Sequence, residues 1–312
     1  MYSLGLDIGA TKAHGVVLDS SDKVIAEHAV FTRRGPEGVL AVLMEIANKV
    51  AQEVGIGLRD FDAVGVGIAG VVNRHSGEII NSVNLDLDHF GLVSEISEHF
   101  SVPVHIDNDV KATVVAAGMI LDSLSVTYVN FGTGVAAATL DGRLIRGHDN
   151  LAGEIGHIIL DPHGEPCRCG KQGCIETITG GGYLAPRMDA LGLDWTVLNE
   201  DTSPLGQAAL DQAIRAIARV VAFVSLAYSS DHVLLGGGVV QAAPWLLPTL
   251  KEFLSDRAHL VFPDYVLMAS KLEFLDNDLQ APAIGAALIG QGWTEGYKLV
   301  DGGHRTCECG DS

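Results

Sequence analysis

Leu4-Gly5-Leu6-Asp7-Ile8-Gly9-Ala10-Thr11-Lys12-Ala13-His14-Gly15-Val16-Val17 and, later in the chain, Thr127-Tyr128-Val129-Asn130-Phe131-Gly132-Thr133-Gly134-Val135-Ala136-Ala137-Ala138 are two versions of one pattern. In each, a short apolar run of strand type breaks at a Gly/Thr turn and resumes as a second strand. Either turn alone reads as an ordinary hairpin. Two of them at matching places imply a chain built from two related halves. The small residues let the backbone approach a phosphate, and Thr11 and Thr133 add hydroxyl donors. Asp7, at the end of the first strand, is placed to hold Mg²⁺ through water.

The pattern extends outward from these hairpins. Tyr2 to Ile8, His14 to Leu18 and Val24 to Phe31 read as strands, with Ser20-Ser21-Asp22-Lys23 as a polar connection. Pro36 to Val54 carries Val39, Leu40, Leu43, Ile46, Ala47, Val50 and Val54 at helical spacing, with Pro36 in its first turn and Gly55 at its end. Ala63 to Ile68 and Val102 to Ile106 are strands, and Asp107-Asn108-Asp109 opens a helix through Leu121. The order then restarts with strands Ser125 to Phe131, Val135 to Leu140 and Arg143 to Ile145. A helix over Leu205 to Tyr228, a strand Val233 to Leu235, a helix Val240 to Leu254, a strand Tyr265 to Ala269 and a helix Pro282 to Gly290 complete it. The expected architecture is α/β with two lobes and one cleft that both hairpins face. Residues 1–120, completed by helix 281–292, form the smaller lobe and 121–280 the larger, with a mobile tail over 293–312.

Composition narrows the function classes. The 312 residues are 47% apolar but only 6% aromatic, which fits tightly packed α/β layers. Thirty-nine acids against 20 bases give a formal charge of −19, so a phosphate backbone is repelled and nucleic-acid binding is not expected. No apolar run reaches the roughly 18 residues of a membrane span. No secretory signal precedes the first strand, and the five Cys are odd in number and clustered, which points to metal binding in a reducing compartment, the cytoplasm.

Three further motifs carry chemistry. Gly236-Gly237-Gly238 lies between a strand and a helix, where it is either a close-packed turn or a flat surface for a nucleotide. His157 with Cys167, Cys169 and Cys174 forms a Cys₃His set, typical of closed structural zinc, with Gly170 and Gly173 letting the chain fold tightly around the ion. Such a site activates no water; it would pin the loop that carries Glu154 and the helix that carries Glu176. Asn108-Asp109 follows a buried strand at a helix start. Asp109 there is either a cap or a general base for an attacking hydroxyl.

These motifs in this order resemble the ROK family of the two-lobed actin-like ATPase and sugar-kinase (ribonuclease H-like) fold, from Leu4 to about Gly290. The most specific stretch is Ala152-Gly153-Glu154-Ile155-Gly156-His157 with the Cys cluster and Ile175-Glu176. The resemblance implies an ATP- and Mg²⁺-dependent, zinc-containing sugar kinase, glucokinase-like, with Asp109 as base. Gly70, Asn84, Asn108, Glu154, His157 and Glu176 would line the sugar site. Asp7, Gly9, Ala10, Thr11, Lys12, Gly132, Thr133, Gly134, Gly236, Gly237 and Gly238 would hold the nucleotide. His157 would also ligate zinc, and relatives often pair as homodimers.

The chain departs from the pattern at Ala10, where a second Gly is usual, and at Val135-Ala136-Ala137-Ala138, where more glycine is usual. Those methyls are expected to narrow the space near the phosphates. Leu85-Asp86-Leu87-Asp88-His89 is more acidic than the glucose-kinase pattern, which keeps amino sugars, fructose and cyclitols as alternative substrates. Family repressors carry a DNA-binding segment ahead of the first hairpin, which here begins within the first dozen residues, so an enzyme is expected over a repressor. A non-catalytic sugar sensor is the alternative of another class. His304, Cys307 and Cys309 echo the zinc segment without a fourth ligand nearby.

Overall fold

The structure, a computed structural model, describes residues 1–256, 269, 271–276, 280–293, 297–300 and 304–307, the last two stretches as backbone. Two compact units form. The first comprises residues 1–124, 140–152 and 278–312, and the second 125–139 and 153–277.

In the first unit the strands are β1 (Ser3–Ile8), β2 (Lys12–Leu18), β3 (Val24–Phe31), β4 (Ala63–Ile68), β5 (Val71–Asn73), β6 (Glu78–Ser82), β7 (Leu87–Phe90) and β8 (Val104–Asn108). The main sheet runs β3-β2-β1-β4-β8. Its β1–β2 and β2–β3 pairs are antiparallel hairpins, while β4 and β8 lie parallel to β1. Every residue of β4, Ala-Val-Gly-Val-Gly-Ile, is buried, as expected for a parallel strand covered on both faces. Helix α1 (Pro36–Glu53) supplies one cover through Val39, Val42, Leu43, Ile46, Ala47 and Val50. The C-terminal helix Ala281–Gly290 lies directly on β1 and β4, because Gly5 and Gly65 present bare backbone to the carbonyls of Ala283 and Ala286. A Cβ at either glycine would collide with backbone, an overpacking of about 1–3 kcal/mol or more.

The strands β5, β6 and β7 form a small antiparallel sheet, and α2 (Leu92–Ile96) follows it. The sequence pattern gave no sign of it, because these strands are three to five residues long and partly exposed. Helix α3 (Asp109–Ile120) begins at the last residue of the expected Asp107-Asn108-Asp109 opening, since Asp107 and Asn108 still belong to β8.

The second unit repeats the scheme. Strand β9 (Ser125–Phe131) turns into β10 (Val135–Asp141), whose last two residues belong to the first unit and pair there with β11 (Arg143–Leu144). The strands β12 (His232–Gly236) and β13 (Leu272–Phe274) add parallel to β9 in the order β10-β9-β12-β13. Its helices between Gly153 and Asp256 are α4 (Ile175–Thr179), α5 (Gly181–Leu191), α6 (Pro204–Tyr228), α7 (Gly238–Gln241) and α8 (Leu246–Ser255). The core gathers Val129, Phe131, Ile217, Val221 and Leu250. Trp195 and Trp245 meet edge to face at 5.1 Å and donate their indole N–H groups to Val239 O and Thr196 O.

One continuous helix over Val240 to Leu254 is not what forms. It divides into α7 and α8 around Ala242-Ala243-Pro244-Trp245, because proline lacks an N–H and disfavours helix in the residue before it. The strand expected over Tyr265 to Ala269 lies outside the described residues except for Ala269. In the tail, Tyr297–Val300 and His304–Cys307 pair antiparallel as β14 and β15, flanking Asp301-Gly302-Gly303 in sequence; Cys309 lies outside the described residues. No helix among the described residues is long and apolar enough to cross a membrane.

Candidate functional site

In the first unit the expected residues converge on the ends of β1, β4 and β8. Asp7 pairs in register with Gly67, and a Cβ at Gly67 would lie 3.6 Å from Asp7 Oδ1 and 3.7 Å from the Asp109 Cα. The bare glycine thus leaves Asp7 facing the head of α3. Burial, and then the neighbouring Asp109 carboxylate, raise the Asp7 carboxyl well above its usual range. Asp7 Oδ1 is shut off from solvent and has no hydrogen-bond partner among the described residues. A buried carboxylate oxygen without a donor, beside a second carboxylate, fits a hard divalent cation such as Mg²⁺.

The Gly9–Lys12 turn closes through Gly9 N–H to Lys12 O at 3.1 Å, leaving Thr11 and Lys12 exposed. Thr32 braces it, donating its hydroxyl to Gly9 O at 2.8 Å and its N–H to Thr11 O at 3.0 Å. Asn108 caps α3, its Oδ1 accepting from the N–H groups of Val110 and Lys111 at 3.0 and 3.3 Å. Its Nδ2 donates to Gly70 O at 3.1 Å. Gly70 has φ 153° and approaches Asn81 O and Ser82 so closely that a side chain would collide. Ser82 in turn donates to Ala69 O, and half-buried Asn84 sits in the following turn. Asn108 is therefore tied directly to Gly70, and Ser82, two residues before Asn84, is tied to Ala69, next to Gly70.

Behind Asp109 lies a buried polar network that sequence reasoning missed. Asp107 Oδ2 accepts from Arg146 Nε at 2.7 Å, and its Oδ1 accepts from Asn108 N–H at 2.9 Å and Asn150 Nδ2 at 3.2 Å. Asn150 also donates to Val72 O, and its own carbonyl accepts from the buried Lys111 Nζ at 2.9 Å. The visible signal was the doubled acid of Asp107-Asn108-Asp109; its partners, distant in sequence, gave none.

In the second unit the Gly132–Gly134 turn is gripped by its neighbours. Glu176, in the first turn of α4, accepts from Val135 N–H at 3.1 Å. Gly181 and Gly182, opening α5, donate to Gly132 O at 2.8 Å and Thr133 O at 2.9 Å. The run Gly180-Gly181-Gly182 was the unread signal. Gly237, at φ 90°, fits its backbone against Phe131 and Asn130 beside the same turn, and a Cβ on exposed Gly238 would meet open space. Val135, Ala137 and Ala138 are buried and Ala136 is half-buried, so most of the expected extra methyls go into packing rather than over the turn.

The short turn holding Glu154 and His157 lies on β10, where Gly153 and Gly156 abut the carbonyls of Ala137 and Val135. The ligand atoms of His157, Cys167, Cys169 and Cys174 lie within 4.8 Å of one another. Cys169 Sγ is 3.6 Å from Cys174 Sγ, and Cys167 Sγ is 3.7 Å from His157 Nδ1. Tetrahedral zinc with Zn–S bonds near 2.3 Å and Zn–N near 2.0–2.1 Å requires S···S and S···N edges of about 3.8 and 3.6 Å, so the four side chains fit the ion. Burial and hydrogen bonding to Cys169 and Cys167 push the Cys174 thiol up to about 12, so a full thiolate set here requires a cation.

A model of the ROK family matches residues 3–292. The chain belongs to the ROK family. It is 28% identical to the N-acetylmannosamine kinase of Salmonella typhimurium, over 94% of this chain and all of that protein. It is 26% identical to the glucokinase of Halalkalibacterium halodurans over 94% of each. The ROK hexokinase of Thermus thermophilus superposes with a TM-score of 0.76 at 28% identity, covering 93% of this chain and 98% of that one. The two matching sheets are thus the actin-like ATPase fold of ROK sugar kinases.

The ROK residues read from sequence fall into two sets. Asp7, Gly9, Ala10, Thr11, Lys12, Gly70, Asn84, Asn108 and Asp109 belong to the first unit. Gly132, Thr133, Gly134, Glu154, His157, Cys167, Cys169, Cys174, Glu176, Gly236, Gly237 and Gly238 belong to the second. Arg187 on α5 joins the second set unannounced, donating to the carbonyls of Thr177 and Ile178 and pairing with Glu165 at 3.0 Å. It fastens the helix that carries Glu176 to the cysteine loop.

Proposed function

We propose that this protein transfers the terminal phosphoryl group of ATP to a hydroxyl of a hexose, with glucose as first substrate. The observation that carries the reading is Asp109 at the capped start of α3 beside Asp7, whose buried oxygen has no partner among the described residues. Phosphoryl transfer asks little covalent chemistry of a protein: one positioned proton acceptor and charge neutralisation around the phosphates. Asp109 accepts the proton of the attacking hydroxyl at a carboxylate oxygen. Asn108, held by its three hydrogen bonds, retains one N–H for a sugar hydroxyl. Asn84, Glu154, Glu176 and the free nitrogen of His157 take further hydroxyls, and Gly70 lines the same sugar contact. The turns at Thr11 and Thr133 and the Gly236–Gly238 loop offer backbone N–H groups to the nucleotide. Mg²⁺, when bound, neutralises the phosphates, with Asp7 on its water shell. Zinc at the Cys₃His group is structural, and the protein works as a cytoplasmic homodimer.

A second reading, an N-acetylated amino sugar as substrate, is favoured by the full-length likeness to an N-acetylmannosamine kinase and by the acidic stretch at Asp86 and Asp88. The deciding experiment is coupled ADP release with Mg-ATP over glucose, N-acetylmannosamine, other hexoses, fructose and cyclitols. Turnover on glucose above the rest supports the first reading, and on N-acetylmannosamine the second. No turnover on any of them rejects both in favour of a sugar sensor.

A further inference from the structure

The loop between β3 and α1, Thr32-Arg33-Arg34-Gly35, plays no part in the expected site, yet it spans two parts of that site. At one end Thr32 is fixed to the Gly9–Lys12 turn by its hydroxyl, at 2.8 Å to Gly9 O, and by its N–H, at 3.0 Å to Thr11 O. At the other end Gly35 donates its N–H to Leu85 O at 2.8 Å, next to Asn84. Gly35 holds φ 79°, and a Cβ there would meet nothing within 4 Å, so glycine is required for the turn and not for space. The two arginines in between differ. Arg33 pairs with Glu45 on α1 at 2.7 Å, so its charge is already met. Arg34 is exposed and has no hydrogen bond or ion pair among the described residues.

We infer that Arg34 is a further donor-binding residue, its guanidinium neutralising the terminal phosphates of the nucleotide at the Gly9–Lys12 turn. The inference rests on reading that turn as nucleotide-binding. The setting is short of positive charge: the chain carries −19, and Asp7 near the end of β1 feels the Asp109 carboxylate at the head of α3. Lys12 alone among the residues of the turn is cationic, and Mg²⁺ leaves part of a triphosphate's charge uncancelled. An arginine fork matches two phosphate oxygens at once, which a lysine does not. An arginine with no partner among the described residues, on a loop bonded to the turn at one end and to the Asn84 segment at the other, meets that need.

The test is calorimetric binding of the β,γ-imido analogue of ATP with Mg²⁺ to wild type, Arg34→Ala, Arg34→Lys and Arg33→Ala, over a series of salt concentrations. Coupled turnover is measured in parallel. Arg34→Ala is expected to weaken analogue binding about five- to thirtyfold, the scale of losing a charge-assisted contact at an exposed position. It should flatten the salt dependence of binding and leave the sugar KM unchanged. Arg34→Lys should recover part of the loss, and Arg33→Ala should bind as wild type. Wild-type affinity and salt slope in Arg34→Ala overturn the inference while leaving the kinase reading intact. Wild-type protein that neither binds the analogue nor turns over any sugar overturns that reading and this inference with it.

Discussion

Truncating Arg146 to alanine tests how the start of α3 is supported. The Asp107 side chain is 1% exposed and Arg146 is 10% exposed, so their 2.7 Å contact is a buried ion pair. Removing the guanidinium strips one charge from a carboxylate that water does not reach, which costs about 3–5 kcal/mol. Two of the three donors to Asp107 survive, Asn108 N–H and Asn150 Nδ2, both on Oδ1. They place the loss at the lower end, about 3 kcal/mol, or roughly 6–12 °C in the melting of the first unit. Asp107→Asn with Arg146→Met removes both charges at nearly constant volume and should recover most of this, since a buried pair contributes little net stability over uncharged residues of the same shape. Urea unfolding of the two single variants and the double variant, arranged as a double-mutant cycle, isolates the coupling. A loss under about 1 kcal/mol in Arg146→Ala, or additive effects in the cycle, would refute the picture of a closed pair.

Three other outcomes follow from the site. Asp109→Asn should keep the fold by circular dichroism and the sugar affinity by calorimetry while lowering kcat by about 10² to 10⁴, and near-normal turnover would reject Asp109 as base. Metal analysis should find about one zinc per chain, lost in Cys169→Ser together with thermal stability, and a metal-free protein of unchanged melting would contradict the Cys₃His assignment. Gly134→Ala would drive a methyl against the Glu176 carboxylate, at 2.5 Å from Oε2, and should raise the KM for ATP and for sugar together, because that carboxylate also holds Val135 N–H. A rise in one KM alone would separate the two roles.

The duplicated α/β scheme was legible because it is carried by local signals. Strand–turn–strand spacing at Asp7–Lys12 and Phe131–Gly134 and the helical spacing of Val39 to Val50 survive in a one-dimensional reading. The reading failed where a local signal is weak. The strands β5 to β7 are too short and too exposed to show alternation. The break between α7 and α8 turned on a single proline, outweighed by the apolar run around it. The Cys₃His group was legible for another reason: thiols so close in sequence have few ways to be apart in space.

What stayed hidden were partnerships between ordinary polar residues far apart along the chain. Arg146 and Asn150 look like solvated loop residues, and Lys111 looks like an exposed helix position. Only the fold shows that Lys111 is 2% exposed and donates to the Asn150 carbonyl, while Arg146 and Asn150 both donate to Asp107. Burial turns a common residue into a constrained one, since an unmet polar group costs more in the interior than a met one contributes. The same argument separates Arg33 from Arg34. They are neighbours of one type in sequence, but one charge is met by Glu45 and the other is free among the described residues. In an acidic chain, a cation held in place by its backbone and without a partner among the described residues is where an anionic ligand gains most.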